Sequence, residues 1–170
     1  MVNLLQKLDG LTGTVLRTIA IACFIGLFAI LAGNVLSRFL GLFSMSWFDE
    51  IVELLFAWLV FLGAAALWRD HDHFRVDWID GKIRSKTLAR LFNTLLIVIS
   101  LAFLGLMTWH GYQLTIKSQA LTPIVQFSVS YLYASIPIAG IFMCAYSLRD
   151  LWKCLFRFSD TPEKAIQEDL

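Results

Sequence analysis

Four stretches of this chain are apolar for long enough to cross a bilayer, and the polar residues collect at their ends. Crossing the roughly 30 Å hydrocarbon core takes about 20 mostly apolar residues as a helix. The first such stretch covers about residues 18–37, bracketed by Arg17 and Arg38, with Asn34 as its strongly polar member. The second covers about 47–68. Its uninterrupted apolar part, Leu54 to Trp68, is too short alone, so Asp49, Glu50 and Glu53 must occupy its first turns near the interface. The third and fourth cover about 91–112 and 129–148. The pattern predicts an all-α integral membrane protein with four transmembrane helices. Ahead of them, Leu4, Leu5, Leu8, Leu11 and Val15 recur at helical spacing beside Lys7 and Asp9. That suits an N-terminal amphipathic helix over residues 2–16 lying at the interface. A cleaved signal peptide competes for this region. It is disfavoured because the first apolar run is long enough to span and no Ala-x-Ala follows it. Residues 1–158 are thus expected to form a single membrane domain, and the charged, Pro-containing 159–170 a loosely ordered tail.

Composition agrees that the solvent is mostly lipid: of 170 residues, 58% are hydrophobic and 16% charged. The net charge of +1 gives no global field for nucleic acid or another polyanion. Charge matters here by location. Of the 14 Lys and Arg, Arg38 and Lys117 fall in the first and third loops. The other twelve fall in the N-terminus, the middle loop and the C-terminus, which are therefore expected in the cytoplasm. Trp47, Trp68, Trp109, Tyr112, Tyr131 and Trp152 lie near the ends of the apolar runs, where amphipathic rings favour the headgroup level. Cys23, Cys144 and Cys154 show no metal or redox spacing and read as structural.

The densest chemistry lies in Ser46-Trp47-Phe48-Asp49-Glu50-Ile51-Val52-Glu53. Ser46 and Asp49 match a capping box, and acids favour the positive end of a helix dipole. Glu53, however, lies about 9 Å along the axis from Trp47, deep enough that it should snorkel or find a partner. Arg38 is the nearby cation on that side, so three acids share one base, and docking to basic residues of another subunit is weighed against simple capping with an Arg38 pair. His71-Asp72-His73 has no third His or Cys close by and reads as a solvated loop rather than a metal site. His110 raises haem ligation in a redox anchor, but no second span histidine could complete a bis-His site. A proton-coupled exporter would need a mid-membrane carboxylate, and no span centre holds one. These gaps leave little for an enzyme to work with, and no cofactor or metal is expected. Asn34, Asn93, Ser100 and Thr108 read as interhelical hydrogen-bond glue. Ala22 with Gly26, Ala29 with Gly33, and Gly63-Ala64-Ala65-Ala66 can seat neighbouring helices. Pro137 should kink the fourth helix.

The order of features resembles that of one transporter family. Arg38-Phe39 follows the first span, Trp47, Asp49, Glu50 and Glu53 open the second, and Trp58-Leu59-Val60-Phe61-Leu62-Gly63-Ala64-Ala65 follows, then Arg69 and His73-Phe74-Arg75-Val76-Asp77. With Pro137 and Gly140 in the last span, this resembles the small transmembrane subunit of tripartite ATP-independent periplasmic (TRAP) transporters, the DctQ type, over about residues 15–155. Phe74 stands where that pattern leads one to expect Ile or Leu. The resemblance implies a scaffold subunit packed beside a large M-type transport subunit. The pair would take up an organic acid, of the C4-dicarboxylate or sialic acid class, with sodium, from a transiently docked P-type periplasmic binding protein. It further implies that Asp49, Glu50 and Glu53 meet basic residues of the large subunit or help present the binding-protein surface, with Arg38 bridging and Trp47 at the interface. Arg69, His73 and Asp77 would then fix the inner end of the second helix.

Overall fold

A computed structural model of the chain describes residues 2–41, 46–69 and 86–156. His73 and Asp77, the His71-Asp72-His73 run and the 159–170 tail lie outside these residues. Helix α1 spans Val2–Phe39, α2 Phe48–Arg69, α3 Lys86–Lys117, α4 Ser130–Tyr133 and α5 Ser135–Phe156. Four segments are long and apolar enough to cross a membrane: Asp9–Phe39, Phe48–Arg69, Thr94–Lys117 and Ser130–Trp152. The amphipathic segment expected over 2–16 is helical but is no separate element. It runs without a break into the first span through Asp9-Gly10-Leu11-Thr12-Gly13-Thr14: no proline interrupts it, and the Thr12 and Thr14 hydroxyls bond back to the Asp9 and Gly10 carbonyls within the helix. α2 begins at Phe48, one residue later than a capping box opened by Ser46 requires.

The helices pack in the order α1, α2, α5, α3, an open row with α1 and α3 at its edges. Burial follows that order: 39% of the best apolar window in the α4–α5 span is buried within the chain, against 6% in α1. The shared core takes Leu16 from α1, Leu62, Ala65 and Ala66 from α2, Leu104 from α3, and Ala139, Met143 and Tyr146 from α5. Large apolar side chains such as Phe24, Phe28, Phe103 and Ile141 point outward, as a lipid solvent permits.

The α3–α5 seam closes on bare backbone. A Cβ on Gly111 would lie 2.6 Å from Ile136 Cγ2, and one on Gly140 would overlap the Thr108 hydroxyl. Ala65 and Ala66 are buried as a packing run should be, and Gly26 meets Leu55, whereas Gly33 and Gly63 face open space. The interruption expected at Pro137 falls three residues earlier, at Ala134 between α4 and α5. There the ring of Pro137 excludes the carbonyl of Tyr133 from the normal ladder. The hydroxyl of fully buried Ser135 donates to the Leu132 carbonyl at 2.7 Å and supports the break.

Candidate functional site

Polar side chains gather at the two ends of the row. At one end, Glu50 sits in the first turn of α2 and is 9% exposed. Its carboxylate faces the connection between α3 and α4. One oxygen accepts the Ile124 amide at 2.7 Å and the other the Val125 amide at 2.8 Å, with the Thr122 hydroxyl also bonded to it. The connection is preshaped for this. The Thr122 amide donates to the Phe127 carbonyl at 2.9 Å, the Phe127 amide to the Thr122 hydroxyl at 3.2 Å, and Leu121 pairs with Ser128. Gln126 closes the turn in the left-handed region at φ 57°. Two successive amides thus converge on a carboxylate placed at the positive end of a helix. The Ser130 hydroxyl, donating to the Ser118 carbonyl at 2.8 Å, draws the ends of the connection together. Ile124 and Val125 project outward from it, about half exposed.

The remaining acids of this cluster behave differently. Asp49 and Glu53 are exposed, as are Trp47 and Arg38, and among the described residues Arg38 makes no ion pair with any of the three acids. The helix start therefore separates into one inward carboxylate that shapes the chain and two outward ones open to a partner.

At the opposite end, Asp9 of α1 joins two other helices. One of its oxygens meets Arg69 Nη2 at 3.3 Å and the other Arg149 Nη1 at 3.2 Å. Arg149 also pairs with Asp150 at 3.3 Å and lies 5.3 Å from the Tyr146 ring centre. Thr12, one turn on from Asp9, is 3.1 Å from the Tyr146 hydroxyl. Gly13 gives Arg69 room to cross α1, since a Cβ there would lie 2.5 Å from Nη1. Trp68 donates to Ser147 at 2.8 Å, and so is half-buried in the α2–α5 seam instead of lying in an aromatic belt. Trp109, Tyr112, Tyr131 and Trp152 keep exposed rings. Trp58 makes a second α2 link, to the Tyr131 carbonyl at 3.1 Å.

Sequence reasoning placed Glu50 and Arg69 among its candidates but missed Asp9, Thr12, Tyr146 and Arg149, and the amides of Ile124 and Val125. A lone acid in a Leu-rich amphipathic stretch was the available signal for Asp9. Backbone amides leave no sequence signal. Thr108 approaches α5 as expected of a helix-joining residue, but its hydroxyl donates to Leu104 in its own helix at 2.7 Å and stands 4.0 Å from Cys144 Sγ.

Residues 27–157 match the family model described as tripartite ATP-independent periplasmic transporters, DctQ component. The chain is also similar to the sialic acid TRAP transporter small permease protein SiaQ of Vibrio cholerae serotype O1. The two are 23% identical over 152 residues, which is 89% of this chain and 87% of that protein.

Proposed function

The chain belongs to the DctQ component family of tripartite ATP-independent periplasmic transporters, and from that premise we propose that it is the static scaffold of a sodium-driven organic acid uptake system. As a small permease subunit it is a multi-pass inner-membrane protein and not an enzyme. In this reading it holds a large M-type subunit that moves substrate and sodium, and both its termini lie in the cytoplasm. A periplasmic binding protein delivers the organic acid, of the C4-dicarboxylate or sialic acid class; the similarity to a sialic acid permease favours the latter.

The carrying observation is how the acids opening α2 are used. Glu50 is bonded to the α3–α4 connection, while Asp49 and Glu53 stay outward. A carboxylate committed to architecture beside two left at the surface suits a subunit that holds and docks. Arg38 and Trp47, exposed at the same end, extend that docking surface.

The test is purification of the tagged chain from its native membrane in mild detergent, with co-purifying proteins identified by mass spectrometry. A stoichiometric hydrophobic partner of many spans supports the scaffold reading; recovery of the chain alone counts against it. Glu53→Lys is expected to lower recovery of that partner about tenfold, equivalent to roughly 1.4 kcal/mol of association. Lys164→Glu, in the tail, should leave recovery unchanged. Equal recovery with both variants would remove the acidic docking surface from the proposal. Uptake by liposomes holding both subunits, with the binding protein and its organic acid supplied outside and assayed with and without a sodium gradient, tests the coupling.

A further inference from the structure

The row of helices is not level across its width. Contacts fix how α1 runs beside α2: a Cβ on Gly13 would meet Arg69, and one on Gly26 would meet Leu55. Continued at that register, Phe48 stands opposite about residue 34, so α1 runs on for roughly 8 Å past the start of α2. This overhang, at the Glu50 end, is apolar: Val35, Leu36 and Phe39 are 67%, 58% and 86% exposed. α3 is displaced the other way. Gly111 meets Ile136 and Gly140 meets Thr108, which sets Arg149 opposite about residue 99 of α3. Arg149 belongs with Asp9 and Arg69 to the ion cluster where the other three spans turn polar. Yet α3 continues for roughly 12 Å beyond that level, through Leu95 and Leu91, 53% and 66% exposed. At the Glu50 end α3 stops early. The Ser118 carbonyl is tied to Ser130, next to the Tyr131 carbonyl that holds Trp58, so Lys117 lies roughly 10–15 Å short of the level of Phe48. Upright in a membrane, the row would leave an apolar overhang in water at each face, on opposite edges.

We propose that both overhangs are surfaces for the bilayer itself, and that the row lies slanted in the membrane by about 30°. The α1 edge sinks and the α3 edge rises until both overhangs enter the hydrocarbon. A slant of that size shifts the two edges relative to one another by roughly 10–15 Å over two to three interaxial spacings. That brings Phe39 and Leu91 to the hydrocarbon boundary, with Arg38 and Lys117 at headgroup level on the Glu50 face. Span length agrees independently. Thr94–Lys117 has 24 residues, about 36 Å, and a helix of that length crosses roughly 30 Å of hydrocarbon when tilted by about 34°. Asp9–Phe39, with 31 residues, has still more length to take up. A protein partner would have to cover apolar surface at opposite edges and opposite membrane faces, whereas one slant buries both. This inference rests on the four spans and is independent of the transport reading.

The test is spin-label depth in the full chain, with Cys23, Cys144 and Cys154 replaced by alanine, in liposomes of phosphatidylethanolamine and phosphatidylglycerol. Labels at Phe39→Cys and Leu91→Cys are compared with labels one turn further into the spans, at Val35→Cys and Leu95→Cys, with helix content checked by circular dichroism. Oxygen, which concentrates in lipid, should reach all four. A water-soluble nickel chelate should collide with the labels at 39 and 91 about fivefold less often than with free label in buffer. Polarised infrared absorption of oriented bilayers should give a mean helix tilt of about 30°. Nickel collisions at 39 and 91 as frequent as with free label would overturn the slant in favour of an upright row. Shielding at one overhang alone, or a mean tilt below about 15°, would do the same. Labels at 39 and 91 closed to both reagents would overturn it by showing a second copy of the chain over the overhangs.

Discussion

Replacing Glu50 by alanine is expected to free the α3–α4 connection from α2 while leaving the four spans folded. The Ile124 and Val125 amides each lose a charged acceptor with which they make short bonds, and no other protein acceptor is bonded to them among the described residues. Their hydrogen exchange should accelerate by on the order of tenfold or more, since bonds to charged groups are the stronger ones and local opening limits exchange. Exchange in the centres of α2 and α5 should hardly change. Glu50→Gln is the informative companion. An amide keeps one carbonyl oxygen but turns its other arm into a donor facing an N–H, so one of the two amides should lose protection and the other keep it. Equal protection of both amides in the alanine variant would show that Thr122, Phe127 and the Leu121–Ser128 pairing hold the turn by themselves. If the connection also forms part of a docking surface through Ile124 and Val125, uptake by the complete transporter should fall along with amide protection.

The second large effect is expected at Gly140. Valine there places its Cβ within the Thr108 side chain, forcing α3 away from α5 along a seam that Gly111, Ile136 and Pro137 also keep close. Overpacking of this kind costs about 1–3 kcal/mol, and more where the neighbour is tied to backbone. Thr108 has little freedom to swing aside, because its hydroxyl is bonded to the Leu104 carbonyl. Gly140→Val should therefore lower the thermal midpoint in detergent well beyond the scatter of outward-facing substitutions such as Ile141→Val. Thr108→Ala alone should be mild, and combined with Gly140→Ala it should recover most of the loss seen in Gly140→Ala alone. Additive effects of Thr108→Ala and Gly140→Ala would contradict direct contact at this crossing.

Much of the architecture could be read from the chain because the bilayer imposes a simple rule on length and hydropathy. The four apolar runs appear as four helical spans, the fourth divided at Ala134, with ends shifted by a few residues where capping and fraying decide the boundary. The packing order was not readable. Lipid-facing and helix-facing residues are equally apolar, so Phe28 and Leu62 look alike in sequence although one is 65% exposed and the other 2%. The acidic cluster was visible, but not its division into inward Glu50 and outward Asp49 and Glu53. That division depends on where a loop 74 residues further along the chain presents its amides. Arg69 was visible as the basic end of α2. Its pairing with Asp9 depends on α1 beginning before the first span and continuing straight into it, which the amphipathic pattern did not distinguish from a separate interfacial helix.

The order α1, α2, α5, α3 also bears on how such a chain is assembled after synthesis. The row divides into two hairpins, α1 with α2 and α3 with α4–α5, each of neighbours in sequence that can associate as soon as they enter the bilayer. The seam between them is fastened by Glu50 to Ile124 and Val125, Trp58 to Tyr131, and Trp68 to Ser147. These bonds join residues 73 to 79 positions apart, and they require the α3–α4 connection and the last span. Until those segments arrive, the first hairpin holds the Glu50 carboxylate and two indole N–H groups without these partners. The completed chain is therefore locked by its polar bonds last, and a product truncated before Ser118 would keep a helical hairpin but expose in lipid the groups by which quality control can tell it is unfinished.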